Sequence, residues 1–454
     1  MQCSIRKVIG YVINYLYYSY TFYKMLKGGG LVKARLILSV VTVLLILVLV
    51  FWSTSIDFSR ISIHFLNDLG ILFAALGLLL LFFQFVFSSR IRFIEYGFGL
   101  DKMMRWHRLF GRIGLALILL HAIFIVYYRL SLFGDTFFTV FILVGIIALV
   151  GFMVTGALAS QYRRIGLAYE TWRNIHLINY LLFPVALVHV FYHTLPGSLL
   201  SYLWYSLAFL YPLLLIYRLI RIVAVRMNPY EVTEVKQEAE KIWTLFFKGK
   251  KLDYKPGQFL FLQLLREGER SSTHPFTISN SPTRSELSVT PKIIGDFTLT
   301  IKDTRVGDKV FIDAPYGVFS FLNQPLKDLV FIAGGIGITP FISMIRNIYD
   351  QNLDYRVALF WVNRSENNLC FTGELKQIEQ ELDNFKVVFI MTDQPDWPGE
   401  KGRLNAQFIK EYLGDMDKKA FFICGPPAMS AELERELKEF DVPKSNIYRE
   451  IFEL

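Results

Sequence analysis

Cysteine is almost missing: the 454 residues hold only Cys3, Cys370 and Cys424. That excludes a disulfide scaffold, and the lack of any CxxC or CxxCH excludes a thiolate zinc site or a c-type haem attachment. Charge is also scarce, at 19% against about 25% for an average soluble domain, which excludes a disordered or collagen-like chain. Acidic residues are scarcest in the first half. Residues 1–226 hold 20 Lys+Arg and 6 Asp+Glu, a balance of +14, and the remainder holds 28 basic and 33 acidic residues, a balance of −5. The overall +9 therefore hides a basic, apolar half joined to a mildly acidic, ordinary one. The basic residues flank apolar runs instead of clustering on a soluble face with aromatics, so nucleic acid is not expected as a partner. No secretory signal is expected, because Arg6, Lys7, Lys24, Lys27, Lys33 and Arg35 precede no apolar stretch with a small-residue cleavage site.

What is abundant is apolar: 53% hydrophobic and 16% aromatic residues, with a mean hydropathy of +0.39. Runs at Leu36–Trp52, Leu69–Phe87, Leu109–Tyr128, Phe137–Leu158, Leu177–His193 and Tyr202–Ile220 are each 17–22 residues long. At 1.5 Å per residue such runs cross a ~30 Å hydrocarbon core as helices, and they are too long and uniform for barrel strands. The stretch Val8–Met25 reads as an amphipathic surface helix within a cytoplasmic N-terminal segment, 1–35. Basic residues alternate sides. Those of the N-terminus, the Arg90–Arg108 turn, the Arg163–Arg173 turn and the Arg218–Arg226 exit fall on one side, with only Arg60 and Arg129 on the other. The positive-inside rule then predicts a multi-pass cell-membrane protein with both termini cytoplasmic, and makes runs three and five parallel.

Four of the seven histidines fall on runs three and five: His107 and His121, then His176 and His189. An ionisable residue inside a crossing is costly and reads as functional. Separations of 14 and 13 residues amount to ~20 Å of rise, so parallel helices present an inner pair (His107, His176) and an outer pair (His121, His189). Neutral imidazoles paired at two depths suit two stacked bis-histidine haems b. The alternative is core histidines bonded to backbone carbonyls. Fourteen steps return to nearly the same helix face, but 13 miss it by roughly 140°, and Pro184 is expected to restore the phase by a kink or π-bulge. His193 is the rival outer ligand, and His64 receives no ligand role. Phe183, between the two levels, reads as core or lipid-facing packing, with a place between the haems as the alternative.

After about residue 227 the pattern changes. Alternating segments Gln258–Leu265, Glu286–Lys292 and Lys309–Ile312 predict a small antiparallel β-barrel over 227–326. It contains His274-Pro-Phe-Thr-Ile-Ser279 and Gly295-Asp-Phe-Thr298, the latter expected to open a short helix suited to a pyrophosphate. Over 327–454 strands alternate with helices. The strand Asp328–Ala333 runs into Gly334-Gly-Ile-Gly-Ile-Thr-Pro340 and a helix, and the strand Ala420–Cys424 runs into Gly425-Pro-Pro-Ala-Met429. That order predicts an open parallel sheet with both turns at its ligand-binding edge.

As an ordered set, the paired histidines in a six-helix domain (36–226), HPFTIS, GDFT, GGIGITP and CGPPAM resemble the NADPH oxidase/ferric reductase superfamily. The chain is similar to the prokaryotic type without calcium-binding hands, and its C-terminal half resembles ferredoxin–NADP reductase. The resemblance implies a six-helix bis-haem membrane bundle, a cytoplasmic FAD-binding β-barrel and an α/β nucleotide-binding domain. It assigns His274, Pro275, Phe276, Thr277 and Ser279 to FAD, with Thr277 and Ser279 as hydroxyl partners, and Gly295, Asp296, Phe297 and Thr298 to its pyrophosphate. Gly334, Gly335, Gly337, Thr339 and Pro340 match the nicotinamide-nucleotide turn, and Cys424, Gly425 and Pro426 the strip beside the nicotinamide. Phe452 matches an aromatic that covers the flavin, a frayed terminal Phe being the alternative. Cys424, Phe452 and Thr277 are thus the expected catalytic residues. Arg364 and Arg403 are placed to clamp a 2′-phosphate, the alternative being solvated loop charges. One departure is Ile125, where some eukaryotic relatives carry a further His. The implied activity is an oxidase passing electrons from cytoplasmic NADPH, or NADH, through FAD and two haems b to extracytoplasmic oxygen, giving superoxide and hydrogen peroxide. The alternatives are a ferric- or cupric-chelate reductase, or an electron-supply subunit for a quinone or an extracytoplasmic partner protein.

Overall fold

A computed structural model of the chain describes residues 63–133 and 139–450. The expected surface helix Val8–Met25, the first apolar run Leu36–Trp52 and Phe452 lie outside the described residues. The chain divides into two compact units between Ile222 and Val223.

In the first unit, runs two to six overlap five described stretches that are helical, long and apolar enough to cross a membrane. They are α1 (Ile63–Ser88), α3 (Leu100–Phe133), α4 (Val140–Gln161), the pair α5 (Tyr169–His176) and α6 (Asn179–His193), and α7 (Leu199–Met227), with the short α2 (Arg92–Phe98) after α1. Lipid offers no hydrophobic drive between helices, so close approach relies on small residues. At the α1–α3 contact, a Cβ on Gly114 would meet the Gly77 carbonyl oxygen at 3.2 Å, and one on Gly77 would meet Ile118 at 2.7 Å. The α1 helix ends at Ser88, and Arg90 two residues on has φ 49°. Arg221 of α7 donates to the Ser89 and Arg90 carbonyls at 2.9 and 3.0 Å, placing a cation on the negative end of α1. Phe183 is fully buried against Phe82, Phe85 and Tyr211, so it is core.

In the second unit, β1 (Tyr230–Ala239), β2 (Ile242–Lys248), β3 (Phe259–Arg266), β4 (Glu269–Arg270), β5 (His274–Thr277), β6 (Leu287–Val289) and β7 (Lys309–Tyr316) form an antiparallel sheet. The order is β4-β3-β7-β1-β2-β6, with β5 paired to β3. A bridge between Ile278 and Val289 carries the chain leaving β5 back onto β6, so the pairing closes on itself. One helical turn, α8 (Asp296–Leu299), opens at the Gly295 motif.

The second sheet is wholly parallel. Its strands are β8 (Asp328–Gly334), β9 (Arg356–Asn363), β10 (Phe385–Met391), β11 (Glu400–Lys401), β12 (Lys419–Cys424) and β13 (Ile447–Glu450), ordered β11-β10-β9-β8-β12-β13. Helices α9 (Thr339–Asp350) and α10 (Thr372–Glu381) bury Phe341, Ile345, Leu375 and Ile378 on one face. On the other face α11 (Ala406–Leu413) and α12 (Pro427–Glu439) bury Ile409, Leu433 and Leu437. The strand order reverses at β8/β12, and ligands of doubly wound sheets bind at that switch point.

The antiparallel sheet is tied to α9 by Arg284, which donates Nε and Nη2 to the Asp350 carboxylate at 3.1 and 3.0 Å. Thr283 adds a third bond at 2.6 Å. Burial alone would raise the Asp350 pKa, but the bonds from Arg284 and Thr283 outweigh it and hold the carboxyl below its ordinary value. A carboxyl depressed in the folded state contributes stability above its unfolded pKa of about 4 and loses it as pH falls through the folded value. Asp350→Asn is therefore expected to lower the melting temperature at pH 7, and the gap to the parent should close below about pH 4. Tryptophan-fluorescence melts across pH check this.

Candidate functional site

The four expected histidines meet in pairs across the helices. The His107 and His176 ring centroids lie 6.2 Å apart at 66°, and those of His121 and His189 lie 6.4 Å apart at 73°. His189, not His193, faces His121. His193 packs beside His189 at 4.8 Å. Between His176 and His189 the chain leaves regular helix at Leu177–Ile178, and Pro184 sits inside α6. At Leu177–Ile178 the helix breaks and tightens. Ile178 donates to Ile175, Tyr180 to Leu177 and Leu181 to Ile178, an i→i+3 pattern that winds the chain faster than an α-helix.

The surroundings fit these imidazoles as metal ligands. His121 Nδ1–H donates to the Gly70 carbonyl at 2.9 Å and His189 Nδ1–H to the Phe141 carbonyl at 2.7 Å. Carbonyls only accept, so both rings carry their proton on Nδ1 and leave Nε2 open, the second-shell arrangement usual for ligating histidines. Bonds of ~2 Å from each ring to a shared ion would separate the centroids by about 6 Å. Gly145 makes room for His189, since a Cβ there would sit 2.6 Å from the ring. At the inner level His107 Nδ1 and Trp172 Nε1 are buried without hydrogen-bond partners among the described residues. Trp172 stacks on His176 at 5.7 Å.

In the second unit the two flavin motifs come together. His274 of β5 stacks on Phe297 of α8 at 4.1 Å, and Phe276 lies 5.9 Å from the same ring. Pro275 pairs opposite Phe261 on β3. Thr298 Oγ1 accepts from the Ile294 and Gly295 amides at 2.9 Å, which shapes the turn before Asp296. Thr277 Oγ1 is buried without a partner among the described residues, as a hydroxyl awaiting a ligand would be. Ser279 differs from expectation. Its fully buried hydroxyl is engaged with Ser288 and Thr290 at 2.9 Å, part of a ladder that continues to Thr244.

At the parallel-sheet edge the two glycine turns interlock. A Cβ on Gly334 would meet Pro426 at 2.6 Å, and one on Gly425 would meet the Gly334 backbone at 2.9 Å. Gly335 has φ 53°, and its carbonyl accepts from Trp361 Nε1 at 2.9 Å. Thr339 Oγ1 donates to Ile336, and Pro340 fills the first turn of α9. Cys424 is fully buried in the core beside β13, and burial together with the nearby Glu450 holds its thiol pKa well above the ordinary value. The thiol is therefore uncharged and packed in the core. Arg364 and Arg403 are exposed on loops, and Arg364 faces Asp393 at 3.9 Å. Two residues escaped the sequence reading: Trp361, which pins the turn, and Asn363. The Asn363 amide is buried at the carboxyl end of β9 with neither polar atom bonded among the described residues. Its nearness to the Gly334 turn comes only from the pairing of β9 with β8, so the sequence carried no signal for it.

Helices long and apolar enough to cross a membrane, followed by an antiparallel sheet and a doubly wound parallel sheet, define the class of architecture. Three family models match in order: "Ferric reductase like transmembrane component" over residues 73–187, "FAD-binding domain" over 222–320 and "Oxidoreductase NAD-binding domain" over 331–435. The chain belongs to the NADPH oxidase/ferric reductase superfamily, with a ferredoxin–NADP reductase-like C-terminal half. Among curated relatives, it is 27% identical over 241 residues to the glycine betaine monooxygenase reductase subunit of Pseudomonas aeruginosa, covering 52% of this chain and 64% of that protein. It is 31% identical over 239 residues to sulfhydrogenase 1 subunit gamma of Pyrococcus furiosus, covering 49% of this chain and 80% of that one. The chain thus spans under two thirds of the first of these relatives. Among solved structures, it resembles the flavohemoglobin-like FAD/NAD-binding domain of a Vibrio cholerae nitric oxide dioxygenase (TM-score 0.45, 21% identity, 50% of this chain and 98% of that one). It also resembles the Malassezia yamatoensis flavohemoglobin (TM-score 0.49, 18% identity, 86% of this chain and 96% of that one).

Proposed function

We propose that the chain is a transmembrane NAD(P)H oxidase that delivers electrons from a cytoplasmic dinucleotide to extracytoplasmic oxygen. The observation that carries this reading is the pair of facing imidazole pairs, His107/His176 and His121/His189, at two depths of one helical unit. FAD held in the second unit would supply two-electron acceptance from a dihydronicotinamide, and haems b held by His107/His176 and His121/His189 would supply one-electron transfer. Gly334, Gly335 and Gly337, with the amino end of α9, hold the dinucleotide phosphates, and Asn363 offers an amide there. The stacked His274 and Phe297, the Gly295–Thr298 turn and the Thr277 hydroxyl hold the flavin nucleotide. Gly70 and Phe141 keep His121 and His189 in the tautomer that leaves Nε2 free. Basic turns keep both termini cytoplasmic. Arg364 and Arg403 recognise a 2′-phosphate when the donor is NADPH.

A second reading is a ferric- or cupric-chelate reductase, favoured by the description of the matching membrane family. An electron-supply role is favoured by the reductase-subunit relatives. A haemochromogen assay with flavin quantitation on the purified full chain is expected to give two haems b and one FAD. Oxygen-dependent NADPH consumption with superoxide release is expected without any partner. Consumption only on adding ferric chelate would establish the second reading, and idleness without a partner the third.

A further inference from the structure

Helix α9 carries Ser343, Arg346, Asn347 and Asp350, the i, i+3, i+4, i+7 set that lines one helix face. All four reach a single segment, Ser279–Arg284, which leaves the flavin motif. Ser343 Oγ donates to the Asn280 carbonyl at 2.7 Å, Arg346 Nη1 to the Ser279 carbonyl at 2.9 Å and Asn347 Nδ2 to Ser281 Oγ at 3.4 Å. Asp350 accepts from Thr283 and Arg284. The Arg346 side chain is 7% exposed, and its other donors fork onto Glu374 of α10 at 2.8 and 2.6 Å. Its guanidinium lies over the Phe371 ring at 5.0 Å. From the opposite side Tyr254 donates to the Asn280 carbonyl at 3.0 Å, and the hydroxyl ladder grips Ser279.

Burying a charge pair adds little stability over apolar packing of the same shape, but directional bonds fix a register. The Gly334–Pro340 turn leads into the amino end of this same helix, whose first residue, Thr339, is seven residues before Arg346. We infer that Arg346 is a positioning residue: the polar face of α9 registers the flavin segment against the nicotinamide turn and so sets the hydride-transfer distance. The inference rests on the proposed reading that FAD occupies the His274–Thr298 site. In that reaction the dihydronicotinamide would give up a hydride that reduces the flavin, while the donors of Arg346 are engaged by Ser279 and Glu374.

The test is anaerobic stopped-flow bleaching of flavin by NADPH, using the full-length protein in detergent. Arg346→Ala is expected to keep its FAD and its half-saturating NADPH within about 2-fold, while the limiting rate falls about 10-fold or more, since an ångström of misplacement can cost 100-fold. Arg346→Lys should stay slow, because an ammonium cannot reproduce the fork. The double variant Ser343→Ala/Asn347→Ala leaves the ion pair intact and is expected to lose about 3-fold in limiting rate alone. It decides the matter if Arg346→Ala does not fold. A limiting rate at the parent's value, or a fall matched by lost flavin or raised half-saturation, overturns the inference. A parent protein without FAD overturns the functional reading instead.

Discussion

Replacing His121 with alanine is expected to halve the haem content of the purified protein, from two to one per chain, and to cut electron delivery to an external acceptor by more than about 100-fold. His121 and His189 face each other at 6.4 Å, and each is oriented by one backbone carbonyl. Removing this imidazole takes away the ring that faces His189 among the described residues. His193 does not substitute, because it packs against the side of His189. Bleaching of the flavin by NADPH should stay within about 2-fold, since that chemistry is assigned to residues after Val223. His193→Ala is the matched control, expected to keep both haems. Two haems retained in His121→Ala would remove the ligand assignment, and with it the route across the membrane.

These residues were legible in the sequence for a definite reason. An apolar run has few polar options, so a histidine in it stands out, and residue counts convert directly into depth. Strands β8 and β12 were legible within a residue because fully buried parallel strands read as unbroken apolar runs. What was not legible depends on contacts between distant segments. Nothing in Ile175–Leu181 announces the tightened turn there, and Pro184 is the more visible feature of the run. Ser279 reads as a ligand hydroxyl until Ser288 and Thr290 are known to lie beside it. The Ser343–Asp350 stripe has a visible helical period, but only the fold supplies its partner.

Gly337→Ala is expected to destabilise the second unit by about 3 kcal/mol or more and to abolish most NADPH-dependent flavin bleaching. The reason is contact, not conformation, since Gly337 is not among the glycines with positive φ. A methyl at this position would fall inside the contact shell of the Cys424 carbonyl oxygen, 2.6 Å from its carbon and 3.0 Å from the Gly425 nitrogen. All three are backbone atoms ending a strand hydrogen-bonded on both sides, to β8 and β13, so no side chain can swing away to relieve the clash. The structure must instead separate its two glycine turns, which are the walls assigned to the dinucleotide. Gly335→Ala is the informative contrast. A Cβ there meets nothing within 4 Å, but φ is 53°, so the expected penalty is the left-handed cost of about 1 kcal/mol. Thermal melts paired with flavin bleaching separate the two effects. Gly335→Ala should bleach more slowly but melt close to the parent, whereas Gly337→Ala should lose both. A Gly337→Ala protein that melts with the parent would mean the two turns do not touch as described, and the dinucleotide site would have to be sought elsewhere on the sheet edge.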